Sequence, residues 1–129
     1  MVKALKVTMI VYAVIGILFG LAFIFVPRQL SAMFGHDALS ALAGTLAVAL
    51  GASFVSACIF LIIAARDPLK HILWVKYAIV FAILMLAAEL YSFIIGYLDF
   101  SQAVMGIIIH AVFAAALLAF YPRRVAKGS

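Results

Sequence analysis

The chain has 129 residues, 71% of them hydrophobic and 10% charged, with a mean hydropathy of +1.38. Soluble domains are about half apolar and about a quarter charged, and one this short still exposes much of its surface, so a bilayer rather than water is the solvent that fits. The net charge of +5 does not point to nucleic acid, because the basic residues stand at the ends of apolar runs and form no patch interleaved with aromatics.

The first span, about 5–26, contains the uncharged run Val7 to Val26, which is 20 residues and matches the hydrocarbon core at about 30 Å as a helix. Lys3 and Lys6 precede it and Pro27-Arg28 ends it. Its length, and the poor cleavage sequence Leu30-Ser31-Ala32, favour an uncleaved anchor over a signal peptide. In the outer loop, 27–37, Leu30, Met33 and Phe34 stand at i, i+3 and i+4, which suits either a short helix on the membrane surface or a loop with a few apolar residues.

The second span, about 38–65, is uncharged throughout, and Asp37 is placed to cap it. An inner loop, 66–69, follows. Its Asp67-Pro68 reads as an N-cap followed by proline at the first helical position, so the third helix is expected to start near Pro68, with its span at about 70–96 and Gly96 as a stop. After an outer turn at 97–100, the fourth span runs over about 101–121, with Ser101 as its cap, Pro122 as its end and a tail at 122–129. The expected architecture is one all-α membrane domain, a four-transmembrane-helix antiparallel bundle.

Eight of the nine Lys and Arg residues then fall on one side, and only Arg28 on the other. The positive-inside rule makes that side cytoplasmic and puts both termini there, in what is expected to be a bacterial inner membrane. Aromatic residues mark two belts, Trp74, Tyr77 and Tyr121 toward the inner interface and Phe23, Phe25, Tyr91, Tyr97 and Phe100 toward the outer one.

Lipid tails are as apolar as leucine, so helices in a membrane associate through close backbone approach and polar contacts. Gly16 and Gly20 form a GxxxG pair, and Ser40, Ala43, Gly44, Ala47 and Gly51 repeat small residues at spacings of three and four. These faces are expected to meet within one bundle, with a homodimer seam as the alternative. Tyr12-Ala13-Val14-Ile15 also echoes Tyr77-Ala78-Ile79-Val80, a match that a restricted apolar alphabet produces by chance.

Ionisable groups inside a bilayer are costly and mark a functional site by default. Glu89 lies ten residues before Asp99 and His110 eleven after it, so across the turn both sit about 15 Å down and at one depth. Such neighbours are expected to share a hydrogen bond, with Ser92 on the same stripe as Glu89 and Gly106 leaving room beside the His110 ring. The pair can pass a proton, exchange one for a cation, anchor the head of a ligand, or simply fix the register of two helices. Ligand or proton binding is therefore assigned to Glu89, His110 and Ser92. No metal site is expected, since only one His and one Glu are level, and Cys58 reads as a small buried hydrophobe.

Val26-Pro27, Phe34-Gly35, the Gly/Ala-rich second helix and the closing Tyr121-Pro122-Arg123-Arg124 resemble small DoxX-like and related four-helix bacterial membrane proteins. That resemblance covers the chain in outline and implies the fold, with some such proteins serving as accessory subunits of redox enzymes. It carries no catalytic residue onto this chain. The sequence names no cofactor and holds no nucleophile motif or phosphate loop, so the reading leans away from an enzyme. Three functions stay open. One is a bundle binding an apolar small molecule or a partner membrane subunit, another a proton-coupled transporter working as a homodimer, and the third an accessory subunit of a membrane oxidoreductase or isomerase.

Overall fold

The computed structural model describes residues 1–35 and 39–122. It contains five helices and, among the described residues, no strand: α1 (Val2–Phe25), α2 (Pro27–Met33), α3 (Ala41–Ala65), α4 (Ile72–Ile94) and α5 (Phe100–Ala119). Four of them, α1, α3, α4 and α5, are long and apolar enough to cross a membrane. Large side chains such as Leu18, Leu42, Leu84 and Ile108 are exposed on them, an arrangement consistent with an integral membrane protein and a lipid surround.

Each boundary has a local cause. Val26, the residue before Pro27, leaves the helical region at φ −133° and ψ 45°, as proline imposes, and Pro27 then opens α2 where its missing N–H costs nothing. The segment at 27–37 therefore begins as a helix, with Leu30 buried and Met33 exposed. Gly35, at φ +76°, turns the chain after it. Ser40 caps α3, its Oγ accepting from the Ala43 N–H at 3.1 Å. Asp37, expected in that role, lies outside the described residues, as do Arg123, Arg124 and Lys127 of the tail.

Asp67 does cap a turn, its Oδ1 accepting from the Lys70 N–H, but residues 68–71 form only that turn, and α4 starts at Ile72 because His71, at φ −108° and ψ 40°, is not helical. Gly96, at φ +80°, ends α4. The Tyr97 N–H bonds back to the Ser92 carbonyl and the Gly96 N–H to that of Phe93, the double closure of a Schellman motif. The cap of α5 is Asp99, in a capping box with Gln102, rather than Ser101, whose hydroxyl donates to the Asp99 carboxylate.

Packing divides the bundle into two close pairs, α1 with α3 and α4 with α5. Glycines explain the first pair. A Cβ at Gly20 would come within 2.8 Å of the Gly51 carbonyl oxygen, and one at Gly51 within 2.9 Å of Phe23 Cβ, so the two backbones touch. Gly16 accommodates the Cys58 sulfur in the same seam. The GxxxG face is thus covered by α3 of its own chain. At one end of the bundle Leu5, Met9, Ala65, Val75, Ala82 and Leu117 are fully buried and join all four long helices. Toward the other end the two pairs part.

Candidate functional site

Where the pairs part, three polar side chains from three helices meet. Tyr12 projects from α1 with its ring stacked on Phe113 at 4.6 Å between centroids and only 5% of the residue exposed. A tyrosine so placed needs a partner for its hydroxyl. It finds His110 on α5, with 2.9 Å between the Tyr12 hydroxyl oxygen and Nδ1. On the far side of the imidazole, Nε2 lies 3.7 Å from Glu89 Oε1 on α4. That separation is an electrostatic contact and too long for a hydrogen bond. The expected Glu89–His110 hydrogen bond is thus replaced by a Tyr12–His110 bond with Glu89 beside it. One tautomer uses both contacts: Tyr12 O–H donates to Nδ1, and Nε2–H points at the carboxyl group.

Glu89 is held from the other side by an absence. The place a Cβ would occupy at Gly106 is filled by the Glu89 carboxyl group, with Oε2 at 2.7 Å from that position and Oε1 nearer still. Gly106 therefore seats the carboxylate between α4 and α5 rather than leaving space around the histidine. Oε2 is buried and has no hydrogen-bond partner among the described residues. An acceptor of this kind pays for its lost hydration unless something donates to it.

The three groups line a cavity of about 360 Å³. Its walls are almost wholly apolar: Phe19 and Phe23 from α1, Phe54 and Cys58 from α3, Phe81 and Met85 from α4, and Met105 from α5. Leu30 of α2, with Leu98 and Gln102, borders its far end, where Gln102 Nε2 lies near Gly35. That size and character suit a drug-sized body with a few convergent polar groups. Phe23 and Tyr77, expected in the interfacial belts, also line this space.

Of the sequence-assigned residues, Glu89 and His110 come together and Ser92 stands apart. The Ser92 hydroxyl donates to the Ala88 carbonyl of its own helix at 2.8 Å, and Ser92 does not line the cavity. Thr45 and Ser53 are likewise satisfied four residues back. Tyr12 was missed as a site residue. Its signal in the sequence is a tyrosine in the middle of an apolar span, away from either interface, where its hydroxyl must find a polar neighbour. Among the described residues, no three of His, Cys, Asp and Glu gather as a metal site. Comparison with family models, with curated proteins and with solved structures returns no match.

Proposed function

We propose that this chain is an integral membrane protein that binds an apolar small molecule between its two helix pairs, with the molecule's polar head at Tyr12, His110 and Glu89. The carrying observation is that these three converging polar groups line an otherwise almost wholly apolar cavity. In this reading the long helices alternate in direction across a bacterial inner membrane. Both termini are cytoplasmic, as the Lys and Arg distribution favours, and the cavity opens toward the outer leaflet.

The test is a native mass-spectrometry titration in phosphatidylcholine nanodiscs, with dodecanol as the probe and an Ala57→Trp variant whose new ring fills the cavity wall. Saturable binding to the wild type that the variant loses supports the reading. Equal binding to both, or none to either, contradicts it.

A carboxyl group with one buried, unpartnered oxygen beside an apolar cavity supports a second reading, exchange of a proton against a cationic solute. Under it, Glu89→Gln abolishes transport into vesicles while the protein still folds, and undiminished transport in the variant removes it. Because Gly16 and Gly20 are occupied by α3, a homodimer would have to use another face.

A further inference from the structure

The polar inventory of the cavity is lopsided. Among the described residues, Glu89 is the one carboxylate on its surface, and neither lysine nor arginine reaches it. The histidine beside Glu89 is hydrogen-bonded to Tyr12 through Nδ1, and its Nε2 lies 3.7 Å from the near carboxylate oxygen. Glu89 itself is short of donors: its Oε2 is closed off and has no hydrogen-bond partner among the described residues, so nothing compensates the carboxylate there. An anionic head would meet like charge there, and a head that only accepts hydrogen bonds would leave Oε2 as it is. A positively charged donor compensates the carboxylate, and charge-assisted hydrogen bonds are the strongest class available. The walls agree, since Phe19, Phe23, Phe54, Phe81 and Tyr77 surround the space with rings whose faces attract cations.

Resting on the reading that this cavity is a binding site, we infer that its ligand is a lipophilic amine, held as an ammonium ion against the Glu89 carboxylate, with its hydrocarbon body between the aromatic walls. The amine has one apolar body, because about 360 Å³ suits a drug-sized molecule and not the two acyl chains of a phospholipid. A protonated primary, secondary or tertiary amine has the required N–H, and a quaternary ammonium does not.

The experiment compares probes of one chain length on the full chain in phosphatidylcholine nanodiscs: dimethyldodecylamine, dodecyltrimethylammonium, dodecanol and dodecanoate. The amine is expected to bind wild type about tenfold or more tighter than dodecanol, with the quaternary ion between them and dodecanoate weakest. Glu89→Gln keeps the shape of the side chain, and in it the amine falls to the level of dodecanol while dodecanol itself is unchanged. Gly106→Ala, which displaces the carboxyl group without altering its charge, lowers the same preference and serves should the glutamine variant fail to fold. Equal affinity of amine and alcohol in the wild type, or a preference that survives Glu89→Gln, overturns the amine assignment while saturable dodecanol binding leaves the cavity reading standing. Absence of saturable binding by every probe removes both. Phosphatidylethanolamine added to the nanodiscs is expected not to compete, and competition would overturn the single-chain assignment in favour of a lipid headgroup.

Discussion

The tight seam between α1 and α3 makes a graded prediction for single added methyl groups. At Gly51, alanine would drive its Cβ into the Gly20 carbonyl oxygen, with Ile24 Cγ1 and Phe23 Cβ both at 2.9 Å. At Gly20 the Gly51 carbonyl oxygen and Val55 Cγ2 stand at 2.8 Å. In each case one obstacle is backbone, which cannot rotate away, so the helices must part. Opening the seam by about half an ångström forfeits roughly a quarter of the dispersion energy at each contact, and overpacking of this kind costs about 1–3 kcal/mol. Gly44 is the internal control, because its nearest neighbour would be Leu39 Cδ2 at an ordinary 3.5 Å, and alanine there costs nothing. Cys58 is buried in the same seam and is the only cysteine, so thermal unfolding followed by thiol labelling reads the region directly. Gly51→Ala and Gly20→Ala are expected to expose Cys58 at clearly lower temperature than wild type, and Gly44→Ala at the same temperature or higher. Labelling curves that coincide for Gly51→Ala and Gly44→Ala would refute the seam.

Three other perturbations separate the cavity's polar groups from a neighbour outside it. Tyr12→Phe keeps the ring that stacks on Phe113 and removes only the hydroxyl. A double-mutant cycle with His110→Ala should give a coupling of about 0.6–1.7 kcal/mol, the range for hydrogen bonds between membrane helices, and a coupling of zero would deny the bond. Gly106→Ala should fold normally, because the atoms it meets are the mobile end of the Glu89 side chain, yet bind dimethyldodecylamine several-fold more weakly; unchanged affinity would show that the carboxyl position does not matter. Ser92→Ala should alter neither stability by more than about 0.5 kcal/mol nor ligand affinity, since its hydroxyl serves only its own helix.

The four long helices were legible because a span needs only length and apolarity, and 20 uncharged residues from Val7 to Val26 say as much as coordinates do. Glu89 and His110 were legible as neighbours because a short turn fixes equal depth on either side of it. Tyr12 was not. It reaches His110 from a helix 98 residues away in sequence, and separation of that kind leaves no trace in periodicity. Gly106 and Ser92 were both misplaced for a related reason, since spacing along a helix gives the stripe a residue belongs to but not which neighbour fills the space beside it. Capping at α5 went to Asp99 rather than Ser101 because Gln102 completes a capping box only with a residue three positions before it. The division into two helix pairs, which creates the cavity, depends on where glycine meets backbone across the bundle, a property of two segments at once.

The central claim is that a ligand's hydrocarbon body lies between the helix pairs above Tyr12, His110 and Glu89. Photolabelling tests it most directly, with a dodecylamine carrying a diazirine midway along its chain and tandem mass spectrometry to locate the adduct. Labels on Phe54, Phe81, Met85 or Met105, weakened in Glu89→Gln, are the expected result. Labels confined to the outward-facing Leu84, Ile108 and Val112, and indifferent to residue 89, would contradict it.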